Sequence, residues 1–223
     1  AGLSGVGSTR FAGNATINGG GISNGVVDVA RLLSSDISGG VVNAGTLIAS
    51  TVSGGNGSVS NAATVGLLSG GLLSVGGMGA FTTVSGGTLM LNGATSTIGT
   101  LNGGSLNLGG STVLTVSSGN NEGTINGGGS LVKDTGATLT LSGVNAFYGG
   151  IWLGAGTVEV GSDLALGSGS LDFASGRLSA SSSVSRTLSN QLFLSGALSV
   201  GSTINPGTLT LAGAGTLLGN TAL

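Results

Sequence analysis

Apolar and polar residues alternate along this chain in short bursts, and glycine separates one burst from the next. Leu89-Met90-Leu91, Leu106-Asn107-Leu108, Leu139-Thr140-Leu141, Val158-Glu159-Val160, Leu171-Asp172-Phe173 and Leu209-Thr210-Leu211 all place apolar residues at i and i+2. That is the period of a β-strand with one face buried and the other wet. No stretch sustains apolar residues at i, i+3, i+4 and i+7, and glycine at this density would cost a helix about 1 kcal/mol per site. The pattern predicts strands throughout and essentially no helix. Glu159 and Asp172 fall on the outward phase of their strands.

The bursts repeat. The phrase is a short apolar strand, a Gly-Gly or Asn-Gly break, then another strand. It reads Thr16-Ile17-Asn18-Gly19-Gly20, Ile37-Ser38-Gly39-Gly40, Val52-Ser53-Gly54-Gly55, Leu68-Ser69-Gly70-Gly71, Val84-Ser85-Gly86-Gly87 and Leu101-Asn102-Gly103-Gly104. From Gly39 the first glycines fall at positions 39, 54, 70, 86 and 103, and the interval then loosens, to Gly127-Gly128 and Gly149-Gly150. A sustained, nearly constant period of this kind is the signature of a solenoid. Strands of three to five residues are too short for free-standing hairpins, but they are stable when each coil stacks on the last and pairs with it in parallel. Glycine supplies the positive φ of the corners. Asn18, Asn92, Asn102 and Asn126 are expected to share that left-handed conformation and to hydrogen-bond to the next coil. At roughly 20 residues and ~4.8 Å per coil, the chain makes about 11 coils and a rod about 50 Å long. The expected fold is all-β, a parallel β-solenoid.

Composition narrows the function. The 223 residues include 49 glycines, one proline, and no cysteine or histidine. Only five basic and seven acidic residues are present, a net charge of −2 and 5% charged, against about a quarter in an ordinary soluble domain. Seven aromatics cannot form the two girdles of a transmembrane barrel, nor a core of large rings, so Val, Leu, Ile and Ala must fill the interior. The apolar stretch from Ala62 to Phe81 is broken by Gly70-Gly71 and Gly76-Gly77 and lies in phase with the repeat, so it reads as one coil and not as a membrane helix. High hydropathy with low charge opposes disorder, and collagen is excluded by its missing glycine period. Without His and Cys there is no Ser-His-Asp triad, Cys-His pair, thiolate or imidazole zinc site, or iron–sulfur cluster. Five scattered basic residues make no footprint for nucleic acid. A cysteine-free chain suits passage through an oxidising periplasm, and many cytosolic proteins as well. Ala1 at the first position, with no signal peptide, reads as a mature or excised segment.

Residues 127–173 carry more specific pieces: Gly129-Ser130-Leu131-Val132-Lys133, Gly136-Ala137-Thr138-Leu139-Thr140-Leu141, Gly143-Val144-Asn145-Ala146-Phe147-Tyr148-Gly149-Gly150 and Gly156-Thr157-Val158-Glu159-Val160-Gly161. In this order they resemble the passenger-associated repeat of bacterial autotransporters (type V secretion). The match departs at Asp134-Thr135, where the usual spacing is stretched, and at the ring pair Phe147-Tyr148. Asn205-Pro206-Gly207-Thr208-Leu209-Thr210-Leu211 is similar to coils found late in such passengers. The resemblance implies a right-handed β-helical stalk exported through an outer-membrane barrel to the cell surface or medium. It divides one continuous rod into glycine-rich, adhesin-like coils over 1–125 and passenger-associated coils over 126–223. It brings no catalytic residue and no cofactor.

Several residues invite chemistry. Gly54-Gly55-Asn56-Gly57-Ser58-Val59 begins like a calcium-binding β-roll repeat but has Val59 where Asp is required, and no second copy follows. Glu159, Asp163 and Asp172 are the carboxylates a sugar-cleaving β-helix would use, yet Glu159 and Asp172 are separated by less than a full coil. Solvated outward charges are the expected reading, and no enzyme activity is assigned. Asp28, Arg31 and Asp36 form the one charge cluster of the N-terminal half, expected as a surface ion pair or part of a contact patch. Phe147, Tyr148 and Trp152 gather three aromatics in one short stretch. They read first as a plug over a coil corner and second as a contact platform. Asn14-Ala15-Thr16 and Asn56-Gly57-Ser58 match the glycosylation pattern, which has little force in a bacterial chain. Thr138-x-Thr140 and Thr208-x-Thr210 resemble ice-binding arrays without their coil-after-coil repetition. The expected function is an adhesive or self-associating passenger stalk whose partners are like copies on neighbouring cells, or host-surface glycans and matrix proteins. The alternatives are the non-catalytic stalk of a passenger protease or esterase, and a self-assembling solenoid filament.

Overall fold

The computed structural model describes residues 8–10 and 13–218, all of them strand, turn or extended chain with no helix. Nearly all strand pairs are parallel and join one coil to the next, so the fold is a parallel β-solenoid. Each early coil presents three faces. Val26–Ile37 shows how: residues 26–29 lie on the first face, 31–34 on the second and 36–37 on the third. The second face runs the whole rod as twelve stacked strands, from 14–17 to Gly215–Leu217. At ~4.8 Å per step it is about 50 Å long.

Some strands are far longer than three to five residues. Val26–Ile37 and Val41–Val52 each run for 12 residues, and Asn56–Leu68 for 13, bending around two corners without leaving the ladder. One residue suffices at such a corner, as Ala30 and Ser35 do, because the coil beneath bends at the same place and hydrogen bonding resumes directly. The third corner needs two glycines. At Ser-Gly-Gly the second glycine has positive φ: 72° at Gly40 and Gly55, 71° at Gly71 and 75° at Gly87. The first glycine has a different reason. A Cβ at Gly39, Gly54, Gly70 or Gly86 would run into the carbonyl of Ser23, Ser38, Ser53 or Ser69 in the coil beneath. Conformation requires one glycine and close stacking the other, hence the pair.

All thirteen described residues with positive φ are glycine, so the asparagines do not share the left-handed role. Their expected hydrogen bonding to the next coil is met at Asn102, whose Oδ1 accepts from Asn120 N at 3.2 Å. Asn126 bonds within its own coil, to Thr124 Oγ1 at 3.4 Å, and the Asn18 side chain lies outside the described residues.

The coils widen along the rod. Val26 pairs with Val41, Thr88 with Ser105, Leu131 with Ile151 and Leu192 with Gly215, so each turn takes up more chain toward the C-terminus. The first face ends at Ala146–Phe147, and the added length forms turns over 161–170 and a separate two-strand pair, Arg186–Leu188 with Leu209–Leu211. Inside, inward positions stack in columns such as Val27, Val42, Gly57, Leu73, Leu89, Leu106 and Ile125. Size is complementary between columns: the space a side chain at Gly79 would fill is taken by the Phe81 ring and Leu91. The stretch from Ala62 to Phe81 is more than one coil: Ala62 pairs with Met78, so residues 62–77 complete a coil and residues 78–81 begin the next, stacked on 62–65. Among the described residues no helix is long and apolar enough to cross a membrane.

Candidate functional site

Strand alternation separates the aromatic trio. Phe147 points inward and is fully buried in the column above Gly127, whereas its neighbour Tyr148 is 66% exposed. Trp152 stands on the outward side of the second face, 38% exposed. Phe147 is therefore a core residue and belongs to no contact surface. Asp28 and Arg31 flank the Ala30 corner and sit on the first and second faces. The Asp28 Oδ1 accepts from Asn43 Nδ2, 2.7 Å away in the coil above. Asp36 is exposed on the third face.

The three carboxylates lie apart. Glu159 is on the third face, between Thr140 and Ser179, and accepts from Thr140 Oγ1 and from Asn205 Nδ2, each at 3.1 Å. Asp172 is on the second face. Asp163 lies on a turn and accepts from Thr187 N at 3.0 Å. It lines a groove of about 330 Å³ with Leu164, Ser168, Thr187, Ser189 and Asn190. The described residues hold no group of three or more His, Cys, Asp or Glu side chains placed to share a metal. Val59, at the failed calcium position, is a core residue.

The buried polar residues of the C-terminal half stand apart from all of these. Lys133 occupies the inward column between Val116 and Leu153 and is fully buried. Its Nζ donates to Thr135 O, to Thr135 Oγ1 at 3.0 Å and to Ala155 O at 3.3 Å. Three acceptors match three ammonium protons, which offsets much of the desolvation cost. Burial still pushes the lysine down from its ordinary 10.5, opposed by the adjacent Asp134 carboxylate. Asn145 accepts from Ile125 N at 2.8 Å and donates to Ala165 O at 2.6 Å, joining three successive coils. Asn190 donates to Gly169 O at 2.7 Å and Gly167 O at 3.2 Å. The signal for Lys133 is its phase, two residues past inward Leu131; Asn145 carries no such signal, because it sits in a turn motif.

The outer surface is uncharged over much of the rod. Residues 37–121 contain no Asp, Glu, Lys, Arg or His. On the second face the outward columns run Thr46, Ala62, Met78, Thr95, Val113 and, alongside, Ile48, Thr64, Ala80, Thr97, Thr115. The third face carries Thr51 with Ser53, Leu67 with Ser69, Thr83 with Ser85 and Thr100 with Asn102 along successive rungs. These side chains offer hydroxyls, amides and methyls at a regular spacing on flat sheets. Such a surface can make many shallow contacts.

The fold thus defines the class, a parallel β-solenoid with an uncharged N-terminal band and a charged, polar-stapled C-terminal part. Comparison with protein-family models, curated protein sequences and solved structures finds no match to the chain.

Proposed function

We propose that this chain is a segment of an autotransporter passenger, a stiff rod on a bacterial surface that mediates adhesion by recognising like copies of itself. The uncharged band over 37–121 carries this reading. Two such rods meet without like-charge repulsion and without a desolvation penalty for ions. Each face of the band is only a few strand spacings long, well below the ~800 Å² per partner of a standard interface. One pairing is therefore weak, and adhesion requires display in many copies, where linked contacts multiply. The test is to display the segment on a non-adhesive bacterium through a neutral outer-membrane barrel and record the settling rate. Faster settling than cells carrying the barrel alone supports the reading; equal settling with confirmed display rejects self-recognition.

A further inference from the structure

Trp152 is the only tryptophan of the chain. On the outward column of the second face it stands between Val132 and Asp172, and Phe193 follows Asp172. Steps of ~4.8 Å put the Asp172 backbone one rung above Trp152 and the Phe193 backbone two rungs above it. The indole leans along its own strand into the space over Gly154. A Cβ there would collide with Cη2 and Cζ3 of the ring, and would lie 2.8 Å from Oδ1 of Asp134. Glycine at 154 lets the ring lie down, and the same placement brings it beside a second carboxylate. Ser170 Oγ donates to Asp172 Oδ2 at 3.4 Å, leaving Oδ1 available. The Lys133 ammonium is turned inward onto Thr135 and Ala155. Beyond Arg31, no basic side chain points outward from the described second face.

We propose that Trp152, Asp134 and Asp172 form a binding site for a cationic side chain, an arginine or lysine of a partner protein. The negative face of an indole attracts a cation, and Trp is the strongest side chain for this. The Asp134 carboxylate beside the ring supplies a charge-assisted hydrogen bond to the same group, and Asp172 on the next rung adds to the negative field. A neutral sugar could stack on the ring and donate hydroxyls to the carboxylates, but it gains nothing from their net charge, so its binding would not weaken with salt as a cation's does. The site is separate from the uncharged band and from the pairing of rods through it.

The test titrates the full chain with a short alternating Gly-Arg peptide while following the emission of Trp152, a reporter inside the proposed site. The expected result is a saturable change, weakened by added salt, with apparent affinity reduced about threefold to tenfold in Asp134→Asn and in Asp172→Asn. Thermal unfolding followed by circular dichroism is expected to match the parent for both outward substitutions. Absence of a saturable change, parental affinity in both variants, or a stronger response to a neutral chitin trisaccharide than to the peptide would each overturn the proposal.

Discussion

The two halves of the rod close their coils in different ways. Over residues 26–104 the coils are tight, corners are one to three residues, most often Ser-Gly-Gly at the third, and the interior is apolar apart from the small hydroxyls of Ser34 and Ser96. Beyond residue 105 the repeat lengthens, from the Ser105–Thr124 step to the Leu192–Gly215 step, and Lys133, Asn145 and Asn190 enter the core. A tight coil pairs its backbone chiefly with the coils above and below, with few side-chain partners such as Ser96 Oγ, which accepts from Gly79 N. A wide coil carries extra chain inside or beside the prism, and buried side chains must satisfy its carbonyls. The N-terminal half is thus constrained by backbone geometry and the C-terminal half by side-chain hydrogen bonds.

The largest expected effect breaks the first constraint. Gly71→Ala places a Cβ 2.6 Å from Gly54 C and Gly55 O at a φ of 71°, whereas Gly201→Ala has a φ of 93° and open space around it. The first should cost about 3 kcal/mol or more, and the second only about 1 kcal/mol, measured by urea unfolding. Equal costs would show that stacking adds nothing to the conformational demand.

Next comes the asparagine staple. Asn145→Ala leaves Ile125 N and Ala165 O without their partner, an expected loss of about 2–3 kcal/mol in the same unfolding assay. Asn145→Leu should not restore it, because the two backbone groups stay unpaired. In the tight half, Leu89→Ala should cost a similar ~2–5 kcal/mol through its cavity, while Leu89→Met should be tolerated.

A third prediction concerns pH. The Lys133 value is lowered in the folded chain from 10.5, so the unfolded chain binds the extra proton between the two values. Stability should therefore rise as pH climbs toward 10.5, and this rise should vanish in Lys133→Met. Near neutrality Lys133→Met removes a buried charge but leaves Thr135 O and Ala155 O without their donor, so it should cost about 1–3 kcal/mol. A parallel pH dependence in both proteins would count against a role for Lys133.

Much of this fold is legible in the sequence, for a physical reason. Alternation reports burial on a sheet, and the Ser-Gly-Gly phrase reports a corner where both glycines are compelled, so strand phase and coil period can be read directly. The single-residue corners at Ala30 and Ser35 cannot, because a bend that keeps its ladder needs no special residue. The aromatic trio is misleading as a cluster, because neighbours in a strand point to opposite sides; Phe147 and Tyr148 had to separate. Asp134 beside the indole is not legible, since it depends on how Trp152 leans over Gly154. The uncharged band is visible by counting, but its division among flat faces appears only once register is known.

The smallest effect on stability is the most direct test of function. Ala80→Arg with Thr97→Arg puts two charges on adjacent rungs of the second face within the band, and Ala146→Arg puts one on an exposed site of the C-terminal half. Each should change stability by about 0.5 kcal/mol or less. With all three proteins displayed at equal density, settling rate is the deciding measurement. The account predicts that cells carrying the band variant settle as slowly as cells with the barrel alone, while Ala146→Arg settles like the parent. Settling unaffected by arginine in the band, with the parent clearly adhesive, would contradict it.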